Sequence, residues 1–245
     1  MKSVEILIPN YHCLKAIELA VESVRAFTSP GTYSLVVHDD GIPKNLEKLE
    51  GFTYRNRHYL RKCAEKGWLR LIEAKENLGH GTSLDILIKQ CTANIAVILD
   101  CDTQILKYGW LGEAVSLFVD ERDLLFCNLE EIKTRLPSLS PWLNPWFAVL
   151  NMEAYRKDME IDWGTVRVDG VWWNVGARLL MKLRDDNPEG YRIQPIPGKL
   201  QDYYYHHVHA SCTSVVCPHD TPSYVATHNR RFTKIREELA NLRKR

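Results

Sequence analysis

Ile95-Ala96-Val97-Ile98-Leu99-Asp100-Cys101-Asp102-Thr103 decides the fold, because five apolar residues run directly into two aspartates. A short continuous apolar run predicts a strand buried on both faces, as in a parallel sheet covered by helices. Open α/β sheets place their ligand sites at the carboxyl ends of such strands. Carboxylates one residue apart in a turn offer the hard oxygen ligands that suit a divalent cation. A solubilising turn is the alternative, since aspartate is common in turns.

The chain before this stretch alternates between strand and helix patterns. Residues 4–9 predict a first strand, and Asp39 and Asp40 form a second acidic strand end. A glycine-containing turn at 77–81 precedes the helix that leads into the central strand. The order strand, helix, strand implies parallel strands and an α/β fold. The predicted elements before that turn cover residues 4–9, 13–27, 33–38, 43–67 and 69–72.

Composition excludes several classes of function. The 245 residues are 45% apolar and 26% charged, with a formal net charge of +1. This balance gives no general electrostatic case for binding nucleic acid or a membrane. No Walker or Rossmann fingerprint is present, which weighs against an NTPase or a dehydrogenase. No run reaches the roughly 18 apolar residues of a spanning helix, and the cysteine spacing favours reduced thiols. We expect a soluble, cytoplasmic protein without a signal peptide.

Four motifs in a fixed order resemble the family 2 glycosyltransferases, which have a nucleotide-diphospho-sugar-binding (GT-A) fold. The motifs are Ile6-Leu7-Ile8-Pro9-Asn10-Tyr11, Val36-Val37-His38-Asp39-Asp40-Gly41, Asn77-Leu78-Gly79 and Ile98-Leu99-Asp100-Cys101-Asp102. The resemblance extends from residue 4 to about residue 110. It implies a Rossmann-like mixed, mainly parallel sheet flanked by helices.

The resemblance also implies a donor site. The residues after the first strand and at the second strand end would hold the nucleotide base, with Asp100 by the ribose. Asp102 would ligate Mn²⁺ or Mg²⁺, and the donor would be a nucleotide-diphospho-sugar, with a UDP-sugar as the first candidate. A glycine at the start of a helix can turn backbone amides toward a ligand, although residues 77–81 taken alone fit a plain strand-to-helix turn better. The candidate donor-binding residues are Pro9, Asn10, Tyr11, Asp39, Asp40, Gly79 and Asp100.

A histidine cluster late in the chain is the second candidate part of the metal site. His206, His207 and His209 fall within four residues, and no helical period explains them. The resemblance implies that a late histidine completes the metal shell, and His207 matches that place best. Surface or aromatic-packed histidines are the alternative. Zinc is a further alternative, although no cysteine spacing supports a structural zinc site.

The candidate general base lies in the second half of the chain. Val171 to Leu183 has the spacing of a helix, and Asp169 precedes it, where the positive end of a helix dipole favours a carboxylate. Related enzymes commonly carry the catalytic aspartate near the start of this helix, but Asn174 occupies the acid's place in the family pattern. We therefore predict Asp169 as the catalytic base, with Asp162 as the runner-up. A structural cap at Asp169 is the alternative.

Two further segments carry expectations. Residues 136–146, rich in proline and tryptophan, predict an ordered loop over the sheet, in which Trp142 and Trp146 could stack on an acceptor sugar. Residues 1–228 predict a single domain, and residues 229–245 a basic amphipathic helix. That helix could pack on the domain's own core, on a second subunit as in a homo-oligomer, or on an anionic membrane surface. We expect the intramolecular packing first.

The sequence thus favours a metal-dependent, inverting glycosyltransferase that moves a sugar from a nucleotide-sugar donor to a glycan or other acceptor hydroxyl. Asp102 is expected in a solvent-facing loop. Two other classes stay open. A nucleotidyltransferase would share the fold but usually carries a glycine-rich, basic loop after the first strand, which Pro9-Asn10-Tyr11-His12 does not resemble. A non-catalytic nucleotide-sugar-binding module would fit the missing aspartate at Asn174. No nucleic-acid partner is expected.

Overall fold

The computed structural model describes residues 2–11, 14–40, 50–130, 142–158, 161–164, 166–168, 171–173, 175–207 and 233–244. The strands are β1 (Val4–Asn10), β2 (Ser34–Asp39), β3 (Arg70–Glu73), β4 (Ile95–Leu99), β5 (Thr103–Ile105), β6 (Asp123–Glu130), β7 (Trp142–Asn151), β8 (Val166–Val168), β9 (Val171–Trp173), β10 (Arg192–Pro195) and β11 (Tyr204–His206). The helices are α1 (Leu14–Phe27), α2 (Glu50–Glu65), α3 (His80–Gln90), α4 (Trp110–Val115), α5 (Met152–Asp158), α6 (Ala177–Asp185), α7 (Gly198–Gln201) and α8 (residues 233–242).

A seven-stranded sheet with the order β10-β6-β7-β4-β1-β2-β3 forms the framework, and β4 lies at its centre. The pairs β1–β2, β1–β4, β2–β3 and β6–β10 are parallel, whereas β7 runs antiparallel to both β4 and β6. All five residues of β4 are buried, as the apolar run predicts. The mixed, mainly parallel sheet that the sequence predicts is therefore confirmed.

Helices cover both faces of the sheet because successive strand side chains point to opposite sides. On β1, Ile6 and Ile8 belong to one core cluster together with α1, and Leu7 belongs to the other together with α3. Because β1 pairs parallel with both β2 and β4, these three strands end at the same edge of the sheet. That edge carries the candidate functional residues.

The predicted helix from Val171 to Leu183 is wrong in its first part. Residues 171–173 form β9, which pairs antiparallel with β8, and α6 begins only at Ala177. Valine and tryptophan fit a pleated strand better than a helix, and Gly176 has a φ of 86°, which a helix does not continue through. The N–H of Gly176 donates to the carbonyl of Trp163 at 3.0 Å, which fixes this break.

One further predicted element differs from the structure, and two short strands were not predicted at all. The predicted loop over 136–146 is strand β7 from Trp142 onward, whereas residues 131–141 lie outside the described residues. The short strands β5 and β11 have no counterpart among the predicted elements. Among the helices that the structure describes, none combines the length and the apolarity that crossing a bilayer requires.

The C-terminal helix α8 packs on the protein's own core. Ile235 and Leu239 are buried and belong to the same core cluster as α1, and Arg243 Nη2 lies 3.2 Å from Glu18 Oε2 on that helix. The apolar stripe of this segment therefore faces inward, as its spacing predicts. The domain boundary at residue 228 stays a prediction, because residues 208–232 lie outside the described part of the chain.

Leu239→Ala should destabilise the protein by about 2–5 kcal/mol, because a buried leucine loses its contacts and leaves a cavity. Unfolding by urea, followed by circular dichroism, measures this change. Glu237→Ala is the control, since Glu237 is exposed on the same helix and should change stability by less than about 0.5 kcal/mol. Equal stability of the two variants would contradict packing of α8 on the core.

Candidate metal centre

The central strand ends in a tight turn that carries both aspartates. The N–H of Thr103 donates to the carbonyl of Asp100 at 2.9 Å, which closes the turn. The N–H of Asp100 and the hydroxyl of Thr103 both donate to the carbonyl of Trp146 on β7, each at 2.9 Å. The turn is thus held at its two ends by one carbonyl. Asp102 is only 4% exposed, so the expectation of a solvent-facing loop is wrong.

Strand β11 brings a histidine to these carboxylates. It pairs antiparallel with β5, which follows the turn directly, and places His206 opposite Thr103. His206 Nε2 lies 3.1 Å from Asp102 Oδ1 and 3.9 Å from Asp100 Oδ2. One potential ligand atom each from Asp100, Asp102 and His206 lies within 4.8 Å of the other two. We call these three residues the metal cluster.

His207, the histidine that the sequence favours as a ligand, lies elsewhere. Its ring Nε2 is 3.0 Å from Gln104 Oε1. Its backbone N–H donates to the backbone carbonyl of Asp102 at 2.9 Å. Strand alternation explains the difference, since neighbouring residues of a strand point to opposite faces. Burial, with smaller contributions from Lys234 and His206, lowers the pKa of His207 to about 4. His209 lies outside the described residues.

Trp146 contacts this cluster through its ring as well as its carbonyl. The indole stacks on the imidazole of His206, with ring centroids 4.7 Å apart and planes 22° from parallel. The stacking of Trp146 that the structure describes is therefore on a histidine. The side chain of Trp142 lies outside the described part, and its contact with an acceptor sugar stays untested.

His80 is a candidate site residue that the sequence reasoning missed. It is the first residue of α3, and its Nε2 lies 3.3 Å from Asp100 Oδ1. Partial desolvation disfavours the charged imidazolium, but the nearby carboxylates of Asp100, Asp102 and Asp40 outweigh it and raise the pKa of His80. Burial likewise opposes the charge on Asp100, yet His80 and His206 lower its pKa below the usual range. In the sequence, the position of His80 in the 77–81 turn was the only indication that it belongs to the site.

Asp39, one of the predicted donor-binding residues, is buried, and both of its oxygens bind other side chains. Asn10 Nδ2 donates to Asp39 Oδ1 at 2.7 Å, and Arg57 Nε donates to Asp39 Oδ2 at 2.7 Å. Burial raises the pKa of Asp39, although Arg57 and Asn10 act against that shift. Both oxygens of Asp39 are engaged, so this carboxylate orients Asn10. Arg57 is a second residue that the sequence reasoning missed.

Asp40 anchors the turn that leads into α3. Its two oxygens accept hydrogen bonds from the N–H groups of Leu78 at 2.7 Å and Gly79 at 3.0 Å. Gly79 has a φ of 82°, a backbone conformation that favours glycine. This arrangement fixes the start of α3 and brings His80 to the end of β4.

A cavity of about 270 Å³ lies beside the metal cluster and brings most of the predicted residues together. Among the described residues that line it, Asn10 and Ser83 each carry a buried polar atom without a hydrogen-bond partner, Asn10 Oδ1 and Ser83 Oγ. Such orphaned groups are what a polar ligand or a cation would satisfy. The cavity is lined by Pro9, Asn10, Tyr11, Asp40, Gly79, His80, Ser83, Asp100, Cys101 and Asp102.

A larger cleft, of about 880 Å³, lies near the amino ends of the strands and includes Glu5, Ser34 and Arg70. It contains none of the residues of the metal cluster. We take the smaller cavity as the functional one, because open α/β sheets bind ligands at the carboxyl ends of their strands.

The metal cluster fits a divalent cation. Two carboxylates and one imidazole supply three ligand atoms, and the oxygens suit Mn²⁺ or Mg²⁺. Asp100 and Asp102 bring two carboxylates to one point, and a divalent cation bound there would offset their negative charge. The side chains present are therefore compatible with the metal that the sequence implies.

Of the two candidate bases, the structure describes Asp162 but not Asp169. Asp162 Oδ2 lies 2.8 Å from Arg178 Nη1, and Asp162 Oδ1 accepts the N–H of Gly164 at 3.1 Å. The segment 161–164 also contacts the start of α3, because a Cβ at Gly81 would come within 2.8 Å of Gly164 Cα. Asp169 and Asn174 lie outside the described residues. Because α6 begins at Ala177, the helix-dipole argument for Asp169 no longer holds.

Comparison with known proteins gives a family match. The model of the family described as glycosyl transferase family 2 matches residues 5–167. No curated protein matches the sequence.

Similar solved structures have the same fold. Mannosyltransferase PcManGT from Pyrobaculum calidifontis, in complex with GDP-Man and Mn²⁺, has a TM-score of 0.57 at 19% identity, over 80% of this chain and 55% of that one. S. aureus TarS 1-349 with UDP has a TM-score of 0.54 at 15% identity, over 91% and 68%. Glucosyl-3-phosphoglycerate synthase from Mycobacterium tuberculosis, with Mn²⁺, UDP and glucosyl-3-phosphoglycerate, has 0.51 at 12%, over 98% and 80%. The chain thus spans about half the length of the mannosyltransferase, and the GT-A fold is confirmed.

Proposed function

The chain belongs to glycosyl transferase family 2, and from that premise we propose that it transfers a sugar from a nucleotide-diphospho-sugar to an acceptor hydroxyl in a metal-dependent reaction. The observation that carries the metal dependence is the cluster of Asp100, Asp102 and His206 at the end of the central strand. The similar structures that contain Mn²⁺ together with GDP-Man or UDP support the same reading.

In this proposal the metal cluster holds Mn²⁺ or Mg²⁺, with His206 replacing His207 as the histidine ligand. A bound divalent cation neutralises the charge that develops on a departing diphosphate. The nucleotide base enters the cavity beside Pro9, Asn10 and Tyr11, where Asp39 fixes the amide of Asn10. A carboxylate forces the Asn10 NH₂ group toward itself, because it can only accept. The amide oxygen then faces away from Asp39 and is the unpartnered atom of that side chain.

The acceptor side of the reaction needs a general base. A carboxylate must take the proton of the hydroxyl as that oxygen attacks the anomeric carbon. We propose Asp169 for this role, because both oxygens of Asp162 already accept hydrogen bonds from other groups. Attack from the face opposite the diphosphate would invert the anomeric centre.

Nucleoside diphosphate release tests the proposed function. The protein is incubated with UDP- and GDP-sugars, each with a panel of glycan acceptors, in Mn²⁺ or in EDTA. Release of nucleoside diphosphate that requires both metal and acceptor is the expected result. Pyrophosphate formation from a nucleoside triphosphate and a sugar phosphate would instead indicate a nucleotidyltransferase. Donor binding without any turnover would indicate a non-catalytic module.

His206→Gln should weaken Mn²⁺ binding at least about tenfold, because loss of one of three protein ligands removes a coordination bond. His207→Gln is the matched control and should keep the parental Mn²⁺ affinity, since His207 Nε2 faces Gln104. Isothermal titration with Mn²⁺ compares the two variants. The opposite ranking would restore His207 as the ligand and contradict the structural assignment.

The proposal also includes the type of sugar, the donor nucleotide and the location in the cell. A hexose as the transferred sugar, a UDP-sugar as the donor and a cytoplasmic location all stay predictions. Contact of α8 with a second subunit or a membrane surface would have to use its exposed side, because Ile235 and Leu239 are buried against the core.

A further inference from the structure

We propose that Trp146 is a positioning residue of the metal centre, which holds the aspartate turn through its carbonyl and His206 through its indole ring. The inference rests on the proposed function, because it concerns the metal cluster named there. Trp146 contacts no cation in this scheme. It fixes the side chains that do.

The carbonyl of Trp146 fixes the turn between β4 and β5. Leu99 pairs with Phe147 at the end of the β4–β7 ladder, so Trp146 comes next along β7 and faces the turn. Its carbonyl accepts the N–H of Asp100 and the hydroxyl of Thr103, both at 2.9 Å. A carbonyl oxygen has two lone pairs, and both are used here. The backbone of Asp100 and the side chain of Thr103, on either side of Asp102, are therefore tied to one atom of β7.

The ring of Trp146 fixes the orientation of His206. A metal-binding histidine usually donates its second ring nitrogen to a carboxylate or a carbonyl, and that hydrogen bond orients the imidazole. Within the described chain, His206 Nδ1 is buried and has no such partner. The near-parallel indole at 4.7 Å is the contact that can take over this role. Stacking restricts the tilt of the imidazole and keeps Nε2 directed at Asp102, 3.1 Å away.

The remaining contacts of β11 fix the strand rather than the His206 ring. Tyr204 stacks on Phe147 with ring centroids 4.1 Å apart, and its hydroxyl donates to Asn128 Oδ1 at 3.1 Å. These contacts hold the backbone of β11 against the sheet. They do not restrict rotation about the side-chain bonds of His206, so we assign that role to the stacked indole of Trp146.

Binding of Mn²⁺ alone, without donor, tests the proposal. Trp146→Leu should weaken Mn²⁺ binding by about tenfold or more, the range typical of a lost partner of a metal ligand. Trp146→Phe should keep the parental affinity, because a phenyl ring can still stack on the imidazole. Trp68→Leu is the matched control, since Trp68 is a partly buried tryptophan that stacks on Arg25, away from the metal cluster. The melting temperature of each variant without metal is the second readout.

The outcomes are distinct. Weaker Mn²⁺ binding in Trp146→Leu, with parental affinity in both Trp146→Phe and Trp68→Leu, supports the proposal. Parental affinity in Trp146→Leu overturns it and leaves the metal site intact. Equal weakening in Trp146→Leu and Trp146→Phe at parental melting temperature also overturns it. If the leucine variant does not fold, Trp146→Met takes its place, with the same criteria. A parental protein that binds no Mn²⁺ overturns the metal site itself.

Discussion

Asp102→Asn is expected to abolish metal-dependent transfer, with a fall in rate of at least about 10³-fold. A catalytic metal supplies several kcal/mol of charge stabilisation, and each 1.36 kcal/mol is a factor of ten in rate. Asparagine keeps the size of the side chain but removes the charge that binds the cation. The fold should survive, because the backbone carbonyl of Asp102, rather than its side chain, accepts the N–H of His207.

The measurement for this variant is sugar transfer together with the melting temperature in Mn²⁺ and nucleotide-sugar. Asp186→Asn is the control, an exposed aspartate at the end of α6 that should change neither quantity. An Asp102→Asn protein that transfers sugar at a rate within tenfold of the parent would remove Asp102 from the site. Loss of folding in the variant would show in the melting temperature without ligand.

Asp169→Asn should lower the transfer rate by about 10²–10⁴-fold, the usual contribution of a general base. Donor affinity and melting temperature should barely change, since the base acts on the acceptor hydroxyl rather than on the donor. The rate is measured at saturating donor and acceptor. Mn²⁺-dependent donor binding is measured separately.

Asp162→Asn is the comparison for this prediction. Its oxygens accept hydrogen bonds from Arg178 and Gly164, so we expect a loss in rate below tenfold. If Asp162→Asn shows the large loss and Asp169→Asn the small one, the runner-up is the base. Small losses in both would place the base outside these two residues.

The half of the site that depends on local sequence was predictable. A five-residue apolar strand followed by aspartates gives a strong signal, since burial on both faces demands such a run. The same holds for β1 and β2, whose carboxyl ends bring Asn10 and Asp39 opposite one another. These residues were predicted from short segments, and the structure brings them to one edge of the sheet.

The other half depends on pairing between distant segments. Whether His206 or His207 faces Asp102 is set by the register of β11 against β5, about a hundred positions apart, and a shift of one residue reverses it. The contact of Trp163 with Gly176 likewise decides where α6 begins. Arg57 reaches Asp39 from a polar helix whose sequence shows no site pattern. Such long-range contacts leave no trace in local spacing.

The most direct test of the account is the melting temperature of the parental protein with a nucleotide-diphospho-sugar, in Mn²⁺ and in EDTA. A ligand at one hundred times its dissociation constant stabilises the folded state by about 2.7 kcal/mol, which corresponds to about 5–10 °C for a chain of this size. We expect this increase for at least one UDP- or GDP-sugar in Mn²⁺ and none in EDTA. An equal increase in EDTA, or no increase with any nucleotide-sugar, would contradict a metal-dependent donor site at Asp100, Asp102 and His206.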